Sequence, residues 1–455
     1  MVRRIVADEL VQRRLPPGPK VPAVLQGLAY LVAGERFIDY CTRRYGDAFT
    51  LRITGLGQIA VLLDPAAIKT VFTAGRDVLD AGSGNRPIEI LLGRRSLLTI
   101  DGDEHMRQRK LLLPPFHGER LQLYRELIDE LTEEMLDRWP LNEPFPTLPE
   151  MQRLTLEIIL RVVFGVEDAD RHAAMRDRIR DLVRYAASDE TGVRYALRGF
   201  GALRFWRAFK RAHARADALI YDEIARRRAN PTGGADVLSL LLEARHEDGT
   251  PMTDVELRDQ LVTLLVAGHE TTATGLAWAF ELLTHHPQAM ARLTDEVRDG
   301  QEDRYANAVV QETLRVCPPV GVMARRVRKP FVVAGYELQP GVRIVPGIPS
   351  VNRHPSIYPD PDVFRPERFL DRAPDTYAWI PFGGGIRRCI GASLAQLEMR
   401  RVLHVVLRRA RLRAADAEPD RPVRRAIVYP PRRGARVVLE ERAPRRVESK
   451  TLEAA

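Results

Sequence analysis

The stretch from Thr253 to Pro287 limits what this chain can fold into more than any other. Thr253 and Glu256 stand in capping-box spacing and Pro287 closes the run, so Asp254 to His286 is expected to form one helix of about 50 Å. From Leu261 to Phe280 the residues are apolar on most sides, which sends the helix through the core. Its middle, Ala267-Gly-His-Glu-Thr-Thr272, breaks the rules for buried helix. Gly268 costs about 1 kcal/mol relative to alanine, and threonine hydroxyls can bond back onto carbonyls. A carboxylate at Glu270 adds a desolvation penalty unless it is paired or hydrated. Rules broken together in one buried place point to function.

A second stretch is as constrained. Phe382-Gly-Gly-Gly-Ile-Arg-Arg-Cys-Ile-Gly391 sets one cysteine in a glycine-rich loop, with Ala392 to Val406 reading as a helix behind it. Glycines allow close approaches that a Cβ forbids, so such a loop can wrap the Cys389 sulfur against a flat ligand. The helix behind points free N–H groups and its positive end at the sulfur, which favours thiolate. Phe382 would cover the same atom. A lone cysteine can equally be a small buried hydrophobe, but the pattern Phe-x-x-Gly-x-x-x-Cys-x-Gly is complete here.

That pattern resembles the haem-binding loop of the cytochrome P450 superfamily, in which a cysteine thiolate ligates the iron. Other motifs follow in that family's order: His105-x-x-x-Arg109, Ala267-Gly-x-Glu-Thr271, Glu312-x-x-Arg315, and Arg368 within Phe364-Arg-Pro-Glu-Arg-Phe369. The resemblance runs from roughly residue 15, in the stiff Leu15-Pro-Pro-Gly-Pro19 segment, to about 440. It implies a mainly α fold with small β-sheets (α+β), a single haem-enclosing domain around the long helix, with 1–14 and 441–455 flexible.

The same resemblance implies haem b, with Cys389 as proximal ligand and O₂ as co-substrate. His105, Arg109, Arg325 and Arg387 would pair with the propionates. Ala267 and Gly268 would leave room above the iron, Glu270 and Thr271 would serve proton delivery, and Phe382 would pack beside the ligand. Glu312, Arg315 and Arg368 would form a structural lock. His269 is assigned no role. The reaction would be insertion of one oxygen atom into a hydrophobic small molecule such as a fatty acid, terpene or steroid. Ala81 to Leu98 would close over it, and the region around Arg184 to Arg204 would form a roof. A last hairpin, Arg424 to Val428 with Ala435 to Leu439, would bring its tip to the site. Arg86, Arg94, Arg95 or Arg424 could anchor a carboxylate. Electrons would come from NAD(P)H only indirectly, through a ferredoxin or flavodoxin with its reductase, steered by Arg388, Arg400 and Arg401. A peroxide-driven peroxygenase of this fold tends to carry Arg-Pro where Glu270-Thr271 stand, and a non-catalytic haem-thiolate sensor has no need of an acid–alcohol pair.

Composition narrows the partners. The net charge of +9 is spread through every segment and interleaved with Asp and Glu, without a basic stripe bearing aromatics, so nucleic acid is not expected as a partner. No run of 18 apolar residues occurs, so no transmembrane anchor is expected. Three separate cysteines, Cys41, Cys317 and Cys389, give no disulfide framework and suit a reducing compartment. A cytoplasmic monomer is expected. Shorter elements are legible too: a helix from Arg36 to Tyr45, a hairpin from Ala48 to Leu63, a helix opened by Pro65, and a helix from Tyr305 to Val316.

Overall fold

A helix from Asp254 to His285 crosses the middle of the chain's computed structural model, which describes residues 15–445 apart from 167, 187–202, 232, 301–302, 372 and 426. Its start is a full capping box. Thr253 Oγ1 accepts the Glu256 N–H at 3.2 Å, and the Glu256 carboxylate accepts the Thr253 N–H at 2.9 Å. The helix stays continuous through Ala267 to Thr272, the residues that break the rules for buried helix. The reason is local. Thr271 Oγ1 donates to the Ala267 carbonyl at 2.7 Å, which the ladder tolerates without breaking.

Two other helices close on this rod where it has no side chain. A Cβ on Gly268 would lie 3.1 Å from Ile159 Cδ1, on the helix Thr147–Phe164. One on Gly275 would lie 3.2 Å from Met399 Sδ, on the helix Ala392–Arg409 behind the cysteine loop. Gly268 therefore lets the helix Thr147–Phe164 pack closely against the central one. Around these contacts lies the main apolar core, including Ile158, Leu261, Leu276, Phe280, Val402 and Val406. Each such fully buried side chain contributes about 1.5–3 kcal/mol.

A smaller core backs a five-stranded sheet. Ala48–Ile53 and Gly57–Leu62 form the expected antiparallel hairpin, and Arg343–Pro346 joins the second strand in parallel. Arg325–Val327 and the short Leu79–Asp80 complete the sheet. Phe49, Val61, Phe72, Ile344 and Ile380 fill its inner face. Helix Pro65–Phe72 leads from this sheet toward the cysteine loop; Asp64 caps it and Pro65 opens it.

Several expectations are corrected. The segment Ala81 to Leu98 is not irregular throughout: a 3₁₀ stretch, Gly82–Ile88, precedes one helical turn, Glu89–Leu92. The last hairpin does not form. Arg436–Arg442 pairs instead with Ala410–Ala414 and with Pro144–Pro146, while Arg425 and Val428 close a tight turn of their own. Pro430 and Pro431 lack the N–H groups that a longer ladder needs. The strand also carries the chain to Arg442, past the expected flexible boundary at 441. A further helix, Ala23–Ala33, precedes the one expected from Arg36 to Tyr45, which runs Glu35–Tyr45. The ends 1–14 and 446–455, and most of the expected roof, lie outside the described residues. Among the described residues no helix is long and apolar enough to cross a membrane.

Candidate active site

The cysteine loop is shaped by Phe72. A Cβ on Gly385 would fall 2.0 Å from the Phe72 carbonyl oxygen, and one on Gly384 2.2 Å from its ring. Gly385 also sits at φ +63°, in the left-handed region that suits glycine. Held against the end of helix Pro65–Phe72, the loop turns so that the Cys389 N–H donates to the Phe382 carbonyl at 2.9 Å. The Phe382 ring meets Trp379 edge-on at 5.8 Å, which ties the loop's entry to the main core. Neither Phe72 nor Trp379 carried a sequence signal.

Cys389 keeps an exposed surface, yet the chain around it is dense enough for burial to dominate its titration. Burial pushes the thiol up; the Gly391 N–H, Arg109 and Arg388 pull it down less strongly. The N–H at the head of the helix favours the thiolate, and burial opposes it. A bound metal would tip that balance, because it deprotonates a coordinating thiol outright.

Beside the loop, a cleft is lined by Phe72, Asp101, His105, Arg325, Gly384 and Arg387. His105 and Arg109 share one face of helix Gly102–Leu112, as their spacing requires. His105 is 1% exposed, and its Nδ1 is buried with no hydrogen-bond partner among the described residues. Burial, then Arg387 and Arg109, push it down to about 3, so the imidazole is neutral at pH 7. Among the described residues Arg325 donates only to the Ala324 carbonyl, at 3.0 Å, and it stands 5.8 Å over the Phe72 ring. It has no carboxylate partner among the described residues; burial, then Arg387, push it down to about 10. Both groups are ready for an anion.

Arg387 and Arg109 are differently committed. Arg387 pairs with Asp101 at 2.6 Å and donates to the Ile100 and Leu97 carbonyls at 2.6 and 3.1 Å. Asp101 in turn accepts the N–H groups of Ala81, Gly82 and Ser83 at 2.8–3.0 Å. Arg109 donates to the Arg388 carbonyl at 2.7 Å, bracing the cysteine loop. Sequence reasoning missed Asp101, although an acid at the head of the helix carrying His105 and Arg109 was the available signal.

On the central helix, Ala267 is exposed and Thr271 half-exposed, so this face opens away from the packed core. Glu270 is buried on another side, where Gln152 Nε2 donates to both carboxylate oxygens at 2.9 and 3.0 Å. Burial raises its pKa above the usual carboxylate range; Gln152 and Arg425 oppose that. His269 is buried with its Nδ1 3.0 Å from Thr155 Oγ1, and burial pushes it down to about 4.

The three residues of the lock meet under the loop. Arg315 grips Glu312 through two bonds of 2.7 and 2.8 Å, both side chains fully buried, and Arg368 Nε adds a third at 3.0 Å. Arg315 also donates to the Asn352 carbonyl at 2.8 Å, and Asn352 Oδ1 accepts the Ile380 N–H at 3.3 Å, two residues before Phe382.

Comparison with known proteins agrees with this geometry. The profile of the family described as Cytochrome P450 matches residues 16–435. A Mycobacterium tuberculosis protein provisionally named cytochrome P450 137 is 45% identical over 431 residues, covering 93% of this chain and 90% of that protein. A Mycobacterium bovis protein provisionally named cytochrome P450 135B1 is 43% identical over 432 residues, covering 93% and 91%. Among solved structures, retinoic acid-bound cyanobacterial CYP120A1 superposes with a TM-score of 0.82 at 25% identity, covering 94% of this chain and all of that one. The haem domain of cytochrome P450DA gives 0.82 at 24% identity, covering 94% and 98%. Likeness of this extent, in sequence and in fold, makes the chain a member of the cytochrome P450 family, the haem-thiolate monooxygenases.

Proposed function

We propose that this chain inserts one oxygen atom from O₂ into a C–H or C=C bond of a hydrophobic small molecule, with haem b held at Cys389. The observation that carries this reading is a pair of unmet needs in one place. The Cys389 thiol is exposed inside dense protein, and the His105 Nδ1 is buried without a partner beside an arginine that lacks a carboxylate. Haem meets both, offering iron to the thiol and carboxylates to the buried imidazole and the arginine. When bound, it supplies oxygen activation, promoted by electron density from the thiolate.

The chain's own residues do the rest. His105 and Arg325 hold the propionates. Arg109 braces the Cys389 loop through Arg388, and Arg387 acts on the same charges from its pair with Asp101. Ala267 keeps the exposed helix face low, and Phe382 covers the cysteine side. Thr271 presents a hydroxyl on that face, tethered to the Ala267 carbonyl. Glu270, pushed toward its protonated form by burial, supplies the proton that Thr271 positions. Glu312, Arg315 and Arg368 fix the backbone beneath the loop.

Electrons reach the site from a separate ferredoxin or flavodoxin and its NAD(P)H-dependent reductase, and the protein works as a cytoplasmic monomer. Of the three arginines considered for docking, Arg388 alone is exposed, while Arg401 is bound to Asp129 and Arg400 to Asn307. Arg388 is therefore the one that steers an acidic partner. The retinoic acid bound by CYP120A1 supports a hydrophobic substrate. The test is a carbon monoxide difference spectrum of the reduced protein, followed by turnover under isotopically labelled O₂ with a surrogate ferredoxin. Thiolate ligation and one labelled atom in the product are expected. Absence of the thiolate signature would end the proposal at Cys389.

A further inference from the structure

Arg425, like Arg325, has no carboxylate partner among the described residues. The other arginines considered as carboxylate anchors are largely spoken for. Arg94 pairs with Glu89, Arg95 pairs with Glu104, and Arg424 stacks on the Tyr30 ring at 5.5 Å. The side chain of Arg86 lies outside those described. Arg425 is half-buried, and its side chain has neither an ion pair nor a hydrogen bond among the described residues.

Its position is fixed, which separates it from an ordinary surface arginine. The Arg425 N–H donates to the Val428 carbonyl at 2.9 Å and the Val428 N–H returns the bond at 3.0 Å, closing a tight turn. Val428 is buried and bridged to Val320. The next residue, Tyr429, donates its N–H to the Pro319 carbonyl at 3.0 Å and accepts Trp278 Nε1 from the central helix at 2.8 Å. The turn is thus bolted to the central helix on one side and to Pro319–Val320 on the other. From there the guanidinium lies near enough to Glu270 to oppose the effect of burial on that carboxyl, although the two form no ion pair.

A fixed, half-desolvated guanidinium without an acceptor is an incomplete interaction, because five N–H donors stand ready in fork geometry. Two exposed apolar side chains lie close by in the chain: Ile427 two residues on, and Val322 two residues after the Val320 that is bridged to Val428. We infer that Arg425 binds the carboxylate of an amphipathic acid substrate whose apolar body lies along Ile427 and Val322, making this monooxygenase selective for hydrophobic carboxylic acids. The inference rests on the haem-thiolate reading above and adds to it the substrate's chemical class.

The experiment is a ferric absorption titration of the holoprotein with retinoic acid and a long-chain fatty acid, each beside its methyl ester. Wild type, Arg425→Gln and Arg425→Lys are compared. A charge-assisted bidentate contact corresponds to about a ten- to hundredfold preference for acid over ester. Arg425→Gln should bring that ratio close to one by weakening the acid alone, and Arg425→Lys should keep part of it, since an ammonium retains charge but not the fork. An unchanged ratio in Arg425→Gln overturns the inference, whatever happens to turnover, and would leave Arg425 as a charge that only tunes Glu270. Wild type that binds neither acid overturns it as well. The carbon monoxide signature, recorded on every variant, separates these outcomes from failure of the haem-thiolate reading.

Discussion

At the residue scale, a hydroxyl on an open face and an imidazole that refuses a proton lie side by side on the central helix. Thr271 presents a hydroxyl on the open face, and its bond to the Ala267 carbonyl fixes where that hydroxyl stands. Thr271→Ala should leave reductant consumption running while product falls on the order of a hundredfold, the usual weight of a positioned proton-transfer group. Thr271→Ser should recover most of the product, because the hydroxyl returns; product formation that survives in the alanine variant would remove the residue from the chemistry. Two positions earlier, His269 refuses a proton. Its pKa is depressed to about 4 by burial, against an ordinary value of 6.5. Between those values the unfolded chain binds a proton that the folded chain does not, so stability falls as pH falls through the window, by about 3 kcal/mol in all. His269→Gln should flatten that part of the stability–pH curve measured by urea unfolding; a slope identical to wild type would assign the effect elsewhere. Glu270 and Thr271 stand out in the sequence because glycine, acid and threonine offend together in a buried helix. The close approach of Ile159 to Gly268 was not legible, since Ile159 is over a hundred positions away in sequence and helical periodicity cannot reveal it.

At the scale of elements, local signals held and distant ones did not. The central helix, the 48–62 hairpin and the Pro65 helix announce themselves through caps, turns and periodicity, so their bounds fall within a residue or two of expectation. The chain after Arg424 looked like a hairpin by the same logic, yet Arg436–Arg442 found its partners at 410–414 and 144–146. Partner choice in a sheet is a tertiary decision that apolar runs leave open. The Glu312–Arg315 pair lies between these cases: spacing puts both on one helical turn, but nothing local says that Arg368 and the Asn352 carbonyl complete the cluster. Its full burial sets the cost of breaking it. Glu312→Gln leaves two buried guanidiniums facing a neutral amide, which should cost about 3–5 kcal/mol and lower haem content, because the cluster supports the chain leading to Phe382. Urea unfolding and the ratio of haem to protein absorbance would show it. A variant with a wild-type midpoint and full haem would make the lock dispensable.

At the scale of the whole molecule, the site lies on the seam between two cores. Phe382 and Ile390 pack against the helical core, while Phe72 and Met323, which press on Gly383 to Gly385, belong to the sheet core. A loop between two bodies is positioned only if the bodies themselves are joined, and one carboxylate makes much of that join. Asp101 gathers three consecutive N–H groups at 81–83, just after the edge strand Leu79–Asp80, and holds Arg387 in the cysteine loop. It also stands in the cleft with His105 and Arg325, so that its negative charge offsets Arg387 and leaves the other two to face an anion. Asp101→Asn keeps the shape, removes the charge and replaces one acceptor oxygen with a donor. Two effects should then appear together: faster hydrogen exchange at the amides of Ala81 to Ser83, and faster haem transfer to a scavenging apoprotein. Each lost charge-assisted bond weighs about 1.5–3 kcal/mol, so tenfold changes are within reach of both measurements. Faster exchange with unaltered haem loss would mean that the sheet core and the cysteine loop are held together without this carboxylate, and that Phe72 alone carries the join.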